Sequence, residues 1–387
     1  MNPLHHPALT VGARIADALA ARAYRARPPR RWPVLDSQEF HAAFSAALPA
    51  LGGARLAHYV EVPVDRAPWY DSGIDLEEGE WLSWFANGEV VLSRLLDIRF
   101  GADFQLWARI GDEGQVFRAT RNSHSFRAER SGRLYLASLF PGAWKTPQGG
   151  LLTPPGVYKG TRGMLALWLL RWRGEPAGNL TQLRAVCDPA GVVSGEVDRL
   201  AAGQALPPGW RHLWALGDAE IHRDAGEGCI ACRTRADVAI LQRDADLPFE
   251  PGTRLEWEWR VDSLPSRFAE NSLPTHDYMS IAVEFDNGID ITYYWSARLP
   301  RGFGYWCPLP TWGEREYHVV LRSGTAQLGQ WLGESVDLHA DYRRHIGTPP
   351  ARIVRVWLIA VSLFQRLGGS CDFRSMRLVQ GARELSL

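Results

Sequence analysis

Residues 254–262 read RLEWEWRVD and residues 276–296 read HDYMSIAVEFDNGIDITYYWS. In the first stretch Leu255, Trp257, Trp259 and Val261 alternate with Glu256, Glu258 and Arg260. A period of two is the mark of a strand with one buried and one solvated face. The second stretch repeats the pattern twice. Met279, Ile281, Val283 and Phe285 make one apolar row, and Ile289, Ile291, Tyr293 and Trp295 make another. Asp286-Asn287-Gly288 separates them, and Asn-Gly is a strong hairpin signal because both residues tolerate positive φ. Together they predict three antiparallel strands at the centre of a β-sandwich.

The opposite face of those strands is one place where chemistry could sit. It would carry Glu256, Glu258 and Arg260, then Ser280 and Glu284, then Asp290, Thr292 and Tyr294. Neighbours two apart on one strand face stand about 6.5–7 Å apart, so Glu256 and Glu258 could act as a carboxylate pair at an inverting-glycosidase spacing. The alternative is a solvated face in which Arg260 balances the acids. His276 and Asp277 precede a strand and follow a loop, a common position for catalytic groups and equally for turn caps. The loop 298–312 is dense in Gly, Pro and aromatics. Tyr305, Trp306 and Trp312 in it could stack on a sugar or an apolar ligand, or could plug the end of the sandwich.

Outward from this centre the chain stays β-like. Basic and acidic residues balance at 43 each, which argues against a nucleic-acid footprint. The 387 residues suffice for two or three cores, and 17 Trp suit sandwich interiors. Short alternating runs are expected at 57–62, 80–86, 90–93, 106–110, 125–128, 134–139 and 165–172, and again from 219 onward. Helices are expected over 9–26 and 37–48, the second with Asp36 and Glu39 at capping-box spacing. The arm 1–54 carries the basic run RARPPRRWP, and its helix would dock on the protein, with membrane-surface contact less favoured. Residues 174–209 read as a linker between sandwiches at 55–173 and 210–387.

Five cysteines cannot all pair within one chain, which favours a reducing compartment and a cytoplasmic location. Cys229 and Cys232 have redox or half-zinc spacing, but no second CxxC completes them, so neither metal nor cofactor is expected. The sequence offers no secretory h-region and no stretch apolar enough for a membrane span.

Two resemblances follow from particular residues. Trp69 to Leu76, Gly79, the run 106–117 and the SGRLYL of 131–136 resemble the galactose-specific calcium lectins of bacteria. That resemblance implies a lectin-type sandwich. The calcium ligands of those lectins do not carry over, since Ser138 and the run 145–150 occupy their positions and supply no carboxylate. WEWRV at 257–261, HDY at 276–278, YYW at 293–295, Gly329, Trp331 and DLHADYRRHIG at 337–347 resemble the bacterial family known as domain of unknown function 3047. This one implies a jelly-roll-like sandwich and no established activity. The expected function is non-catalytic binding or assembly, recognising a glycan or a protein partner. An enzyme acting on a carbohydrate or apolar small molecule is the alternative.

Overall fold

The computed structural model describes Leu19 and residues 33–94, 98–118, 121–140, 144–202, 206–213, 221–309 and 312–387. Apart from Leu19, the helix expected over 9–26 lies outside the described residues. The chain divides into two compact units, one holding residues 33–202 and the other 206–213 with 221–387. Both are mainly β.

The first unit opens with helix α1 (Ser37–Ala47), whose cap Asp36 accepts the backbone N–H groups of Gln38 and Glu39. Strands β1 (Ala54–Pro63), β2 (Tyr70–Leu76), β3 (Trp81–Ser93), β4 (Ile98–Gly101), β5 (Leu106–Ile110), β6 (Ser123–Arg127), β7 (Gly132–Ser138) and β8 (Arg162–Trp172) follow. They form a sheet β1-β8-β3-β4 with β6 added on β3, and a smaller sheet β2-β7-β5. On β8 the side chains Leu165, Leu167 and Leu169 face the core between the sheets. The alternate residues Ala166, Trp168, Leu170 and Trp172 face a second apolar layer with Phe40 and Phe44 of α1. That layer is completed by helices α2 (Ala177–Val186) and α3 (Val192–Ala202), which contribute Leu180, Leu183 and Val193. The stretch read from sequence as a linker is thus largely a helical cover. It is needed because β8 is apolar on both faces, and a strand of that kind must be buried on both.

The second unit continues with β9 (Arg211–His212), β10 (His222–Asp224), β11 (Ile230–Arg235), β12 (Val238–Pro248), β13 (Arg254–Ser263), β14 (Tyr278–Phe285) and β15 (Asp290–Ser296). After them come β16 (Gly304–Trp306), β17 (Glu316–Ser323), β18 (Trp331–Asp337), helix α4 (Leu338–His345), β19 (Arg352–Val361), β20 (Gly368–Gln380) and β21 (Arg383–Ser386). One sheet runs β10-β11-β20-β13-β18, with β21 on β20; the other runs β16-β17-β15-β14-β19-β12-β9. The pair β15–β17 is parallel, and the remaining ladders are antiparallel.

The hairpin β14–β15 forms as the sequence predicts, with Gly288 N–H donating to the Phe285 carbonyl and Ser280 paired to Tyr294. The predicted third strand does not join it. β13 pairs with β18 and β20 in the facing sheet, so its apolar row meets the hairpin's across the sandwich core. The long loop 264–277 makes this possible, because a tight turn would have forced β13 and β14 to be neighbours. Glu256 and Glu258 therefore do not share a face with Glu284, Asp290 and Tyr294.

Among the described residues, no helix is long and apolar enough to cross a membrane.

Candidate functional site

Over β14 and β15 the outer face of the seven-stranded sheet is largely polar, and it is buried. Every residue of β14 and β15 is inaccessible, including Ser280, Glu284, Asp290, Thr292 and Tyr294. Segments on either side of it meet this face: Glu270 of 264–277 bonds Ser296, Tyr305 bonds Tyr294, Trp312 packs on Trp357, and Gln365 of 362–366 bonds Asp277. A solvated face was one sequence expectation for these strands. On β14 and β15 the face is instead buried.

Under that cover four side chains converge. His276 lies just before β14 and Cys307 just after β16, while Glu316 and His318 sit two apart on β17 and so point the same way. Register explains the meeting. Tyr305 pairs with His318 across β16–β17, and the Cys307 N–H donates to the Glu316 carbonyl, which puts the thiol beside the carboxylate's strand position. One ligand-type atom from each of the four lies within 4.8 Å of all the others, and all four residues are buried.

Their hydrogen bonds are uneven. His276 Nδ1 lies 2.7 Å from the backbone carbonyl of Glu270, which can only accept. Nδ1 therefore carries the proton, and the lone pair of Nε2 points 3.3 Å away at the Cys307 sulfur. Burial, reinforced by His318, pulls the His276 pKa down to about 3, so the ring is neutral. Glu316 Oε1 accepts from the Tyr278 hydroxyl at 2.7 Å and from Thr292 Oγ1 at 3.2 Å. Burial acts to raise its pKa, but His318 and then the Tyr278 hydrogen bond outweigh that and hold the carboxyl below the usual range. The Asp290 pKa beside it is pushed well up by burial and then by the Glu316 charge. Burial and the Glu316 charge push the Cys307 thiol well up. His318 is the exception. Neither of its ring nitrogens makes a hydrogen bond, although Nε2 stands 3.5 Å from Glu316 Oε1.

The remaining residues singled out in the sequence have structural partners. Asp277 accepts the backbone N–H groups of Phe364 and Gln365 at 3.0 and 2.5 Å. Glu284 is bonded to Arg355 at 2.7 Å. Tyr294 and Tyr305 join hydroxyls at 3.1 Å beneath the cover, and Trp312 packs edge-on against Trp357. On the other sheet Glu256 is held by Arg377 and Ser335, and Glu258 by Arg374. Cys232, on β11, stands opposite Cys371 in the ladder, and both are free thiols. Trp306 differs from its loop neighbours in being 40% exposed at the sheet edge.

Sequence reasoning passed over Cys307, Glu316, His318 and Glu270. The available signal was Glu316-Tyr317-His318 on a strand, with a cysteine nine residues upstream. Glu270 is a buried acid whose pKa burial raises to about 7, against hydrogen bonds from Ser296 Oγ and the Ala297 N–H.

Residues 217–377 match the family described as "Protein of unknown function (DUF3047)". No curated protein matches the chain. Among solved structures, the xyloglucanase domain of NopAA, a type three effector from Sinorhizobium fredii, aligns at 9% identity with a TM-score of 0.29, covering 48% of this chain and 96% of that one. The EclA N-terminal domain, a PllA-like lectin, aligns at 16% identity with a TM-score of 0.22, covering 30% and 95%. A tandem CBM22 domain from Paenibacillus barcinonensis Xyn10C aligns at 10% identity with a TM-score of 0.20, covering 79% and 80%. The described part of the matched DUF3047 segment lies in the second unit, and it spans the four converging side chains.

Proposed function

We propose that this chain is a non-catalytic binding protein that recognises a carbohydrate through a surface centred on Trp306. The observation that carries the reading is the contrast within one loop: Tyr305, Cys307 and Trp312 are buried, while the Trp306 indole is left 40% exposed. Its ring is held edge-on by Tyr317, with centroids 5.0 Å apart at 86°. A Cβ at Gly304 would come within 2.6 Å of the Tyr317 hydroxyl, so the glycine makes room for that support. Tyr317 in turn packs on His345 of α4, next to the exposed Arg343 and Arg344. A fixed, exposed indole can stack on a pyranose face.

The carboxylates favour binding over hydrolysis. Glu256 and Glu258 are occupied by arginines, and Glu284, Asp290 and Glu316 lie under the cover. A glycosidase needs one acid and one base flanking a bond that can reach them.

The test is retention on an array of neutral and acidic oligosaccharides, followed by titration of the best ligand into Trp306→Ala and Trp306→Phe. Loss of a stacked ring should weaken binding by about 1–3 kcal/mol, by analogy with stacked bases, and Phe should restore part of it. Wild-type affinity in Trp306→Ala overturns the reading. So does release of reducing ends that falls in Glu256→Gln or Glu258→Gln.

A further inference from the structure

We propose that His276, Cys307, Glu316 and His318 form a tetrahedral site for a single zinc(II) ion with a structural role. The site is independent of carbohydrate recognition and rests on four lines of geometry and chemistry.

Donor type comes first. A thiolate, two imidazoles and one carboxylate suit a borderline d-block cation. Magnesium and calcium favour all-oxygen sets. Two imidazoles and a carboxylate could also serve iron(II), but that chemistry leaves positions open for substrate. Here the cysteine fills the fourth position and closes the tetrahedron, as in structural zinc centres.

Spacing is the second. Bonds of about 2.0–2.3 Å to a tetrahedral ion set ligand atoms about 3.3–3.7 Å apart. His276 Nε2 to Cys307 Sγ is 3.3 Å, and His318 Nε2 to Glu316 Oε1 is 3.5 Å. The widest separation among the four stays within 4.8 Å, so closing on an ion requires movement of about an ångström.

The third line is pre-orientation and an unpaired group. The Glu270 carbonyl holds His276 in the tautomer that turns Nε2 inward, the usual outer support of a zinc-bound histidine. Tyr278 and Thr292 anchor the Glu316 oxygen. His318 is fully buried, and neither nitrogen has a hydrogen bond. Its Nε2 has only the long 3.5 Å approach to Glu316 Oε1; poorly satisfied buried nitrogens are costly, and a bound ion at Nε2 supplies a full partner.

Charge is the fourth. Binding displaces the Cys307 proton to solvent, and Zn²⁺ then meets one thiolate, one carboxylate and two neutral rings. The set sums to zero, which a water-excluded interior requires.

The experiment uses the full chain, purified without added metal, stripped by chelation and titrated with zinc in competition with a chromophoric chelator. The expected stoichiometry is one zinc per chain, with a rise in melting temperature that magnesium does not produce. Cobalt(II) loading should give a tetrahedral spectrum with a thiolate charge-transfer band. Cys307→Ser and His318→Ala should each weaken zinc at least about 100-fold, whereas Cys229→Ser should bind as wild type. Where a variant fails to fold, the wild-type spectrum decides: a cobalt complex without thiolate character overturns the proposal. It is likewise overturned by a chain that binds no zinc after stripping, or by zinc retained undiminished in Cys307→Ser.

Discussion

The carboxylate of Asp277 accepts the backbone N–H of Gln365 at 2.5 Å across 88 residues of sequence, and it also accepts that of Phe364. This pair fastens the 362–366 segment over the polar face, and Gln365 extends the tie by donating to Ser266 and to the Thr275 carbonyl. Removing the carboxylate would strand two buried backbone donors. Hydrogen bonds to a charged acceptor contribute about 1.5–3 kcal/mol each, so Asp277→Ala should lower the unfolding free energy of the second unit by an amount in that range or above, read as a fall in its urea midpoint. A midpoint unchanged from wild type would show that the segment is held by other contacts.

Trp312 and Trp306 should separate cleanly in stability. Trp312 is 5% exposed and packs on Trp357 with Arg315 over its ring. Trp312→Ala should cost about 3–5 kcal/mol of folding stability. Trp306→Ala, at the exposed edge, should cost well under half of that. Denaturant titrations of the two variants side by side check the ordering, and equal losses would contradict the burial difference.

The first unit should weaken on mild acidification through His124. Burial, then the Arg199 charge, holds the ring's pKa down at about 4, although Glu196 pulls the other way. An unfolded histidine titrates near 6.5. Between those values the unfolded chain binds the extra proton, so the stability contributed by a neutral His124 is complete above about pH 6.5 and is lost as pH falls toward 4. His124→Gln should therefore show a smaller drop in urea midpoint between pH 7 and pH 5 than wild type does. Equal drops would rule His124 out as the group responsible.

The Glu258–Arg374 pair should contribute little. Both side chains are 41% exposed, and Arg374 also covers the Trp331 ring at 4.0 Å. Exposed ion pairs typically contribute about 0.2–1 kcal/mol. A double-mutant cycle with Glu258→Gln and Arg374→Gln should return a coupling in that range. A larger coupling would mean that the indole and the ion pair act as one unit.

Local pattern carried much of the architecture. The hairpin, its two apolar rows and the cap at Asp36 follow from spacing and turn chemistry, which act within a few residues. Sheet membership did not. β13 alternates as cleanly as β14, yet alternation says which face is buried and not which strand is adjacent. Gly88 misled in a similar way, because it split 80–93 into two expected strands. In the structure it sits at φ +116 with its Cα against the Met164 carbonyl, and β3 runs through unbroken. The converging His276, Cys307, Glu316 and His318 were hidden because their proximity depends on β15–β17 pairing and on the path of a long loop. Those are properties of the whole sheet.

One feature of the hairpin reaches beyond the site. β13 presents alternating buried and half-buried positions, whereas β14 and β15 are enclosed at every position. In a saturation mutational scan, β13 should therefore show a two-residue rhythm of tolerance that records its exposed side. The hairpin should show no rhythm at all: apolar residues will be replaceable only by apolar ones, and polar residues only by those that keep the same donors and acceptors. Read backward, such a profile would place β14 and β15 in the middle layer of a three-layer arrangement, from growth or abundance measurements alone.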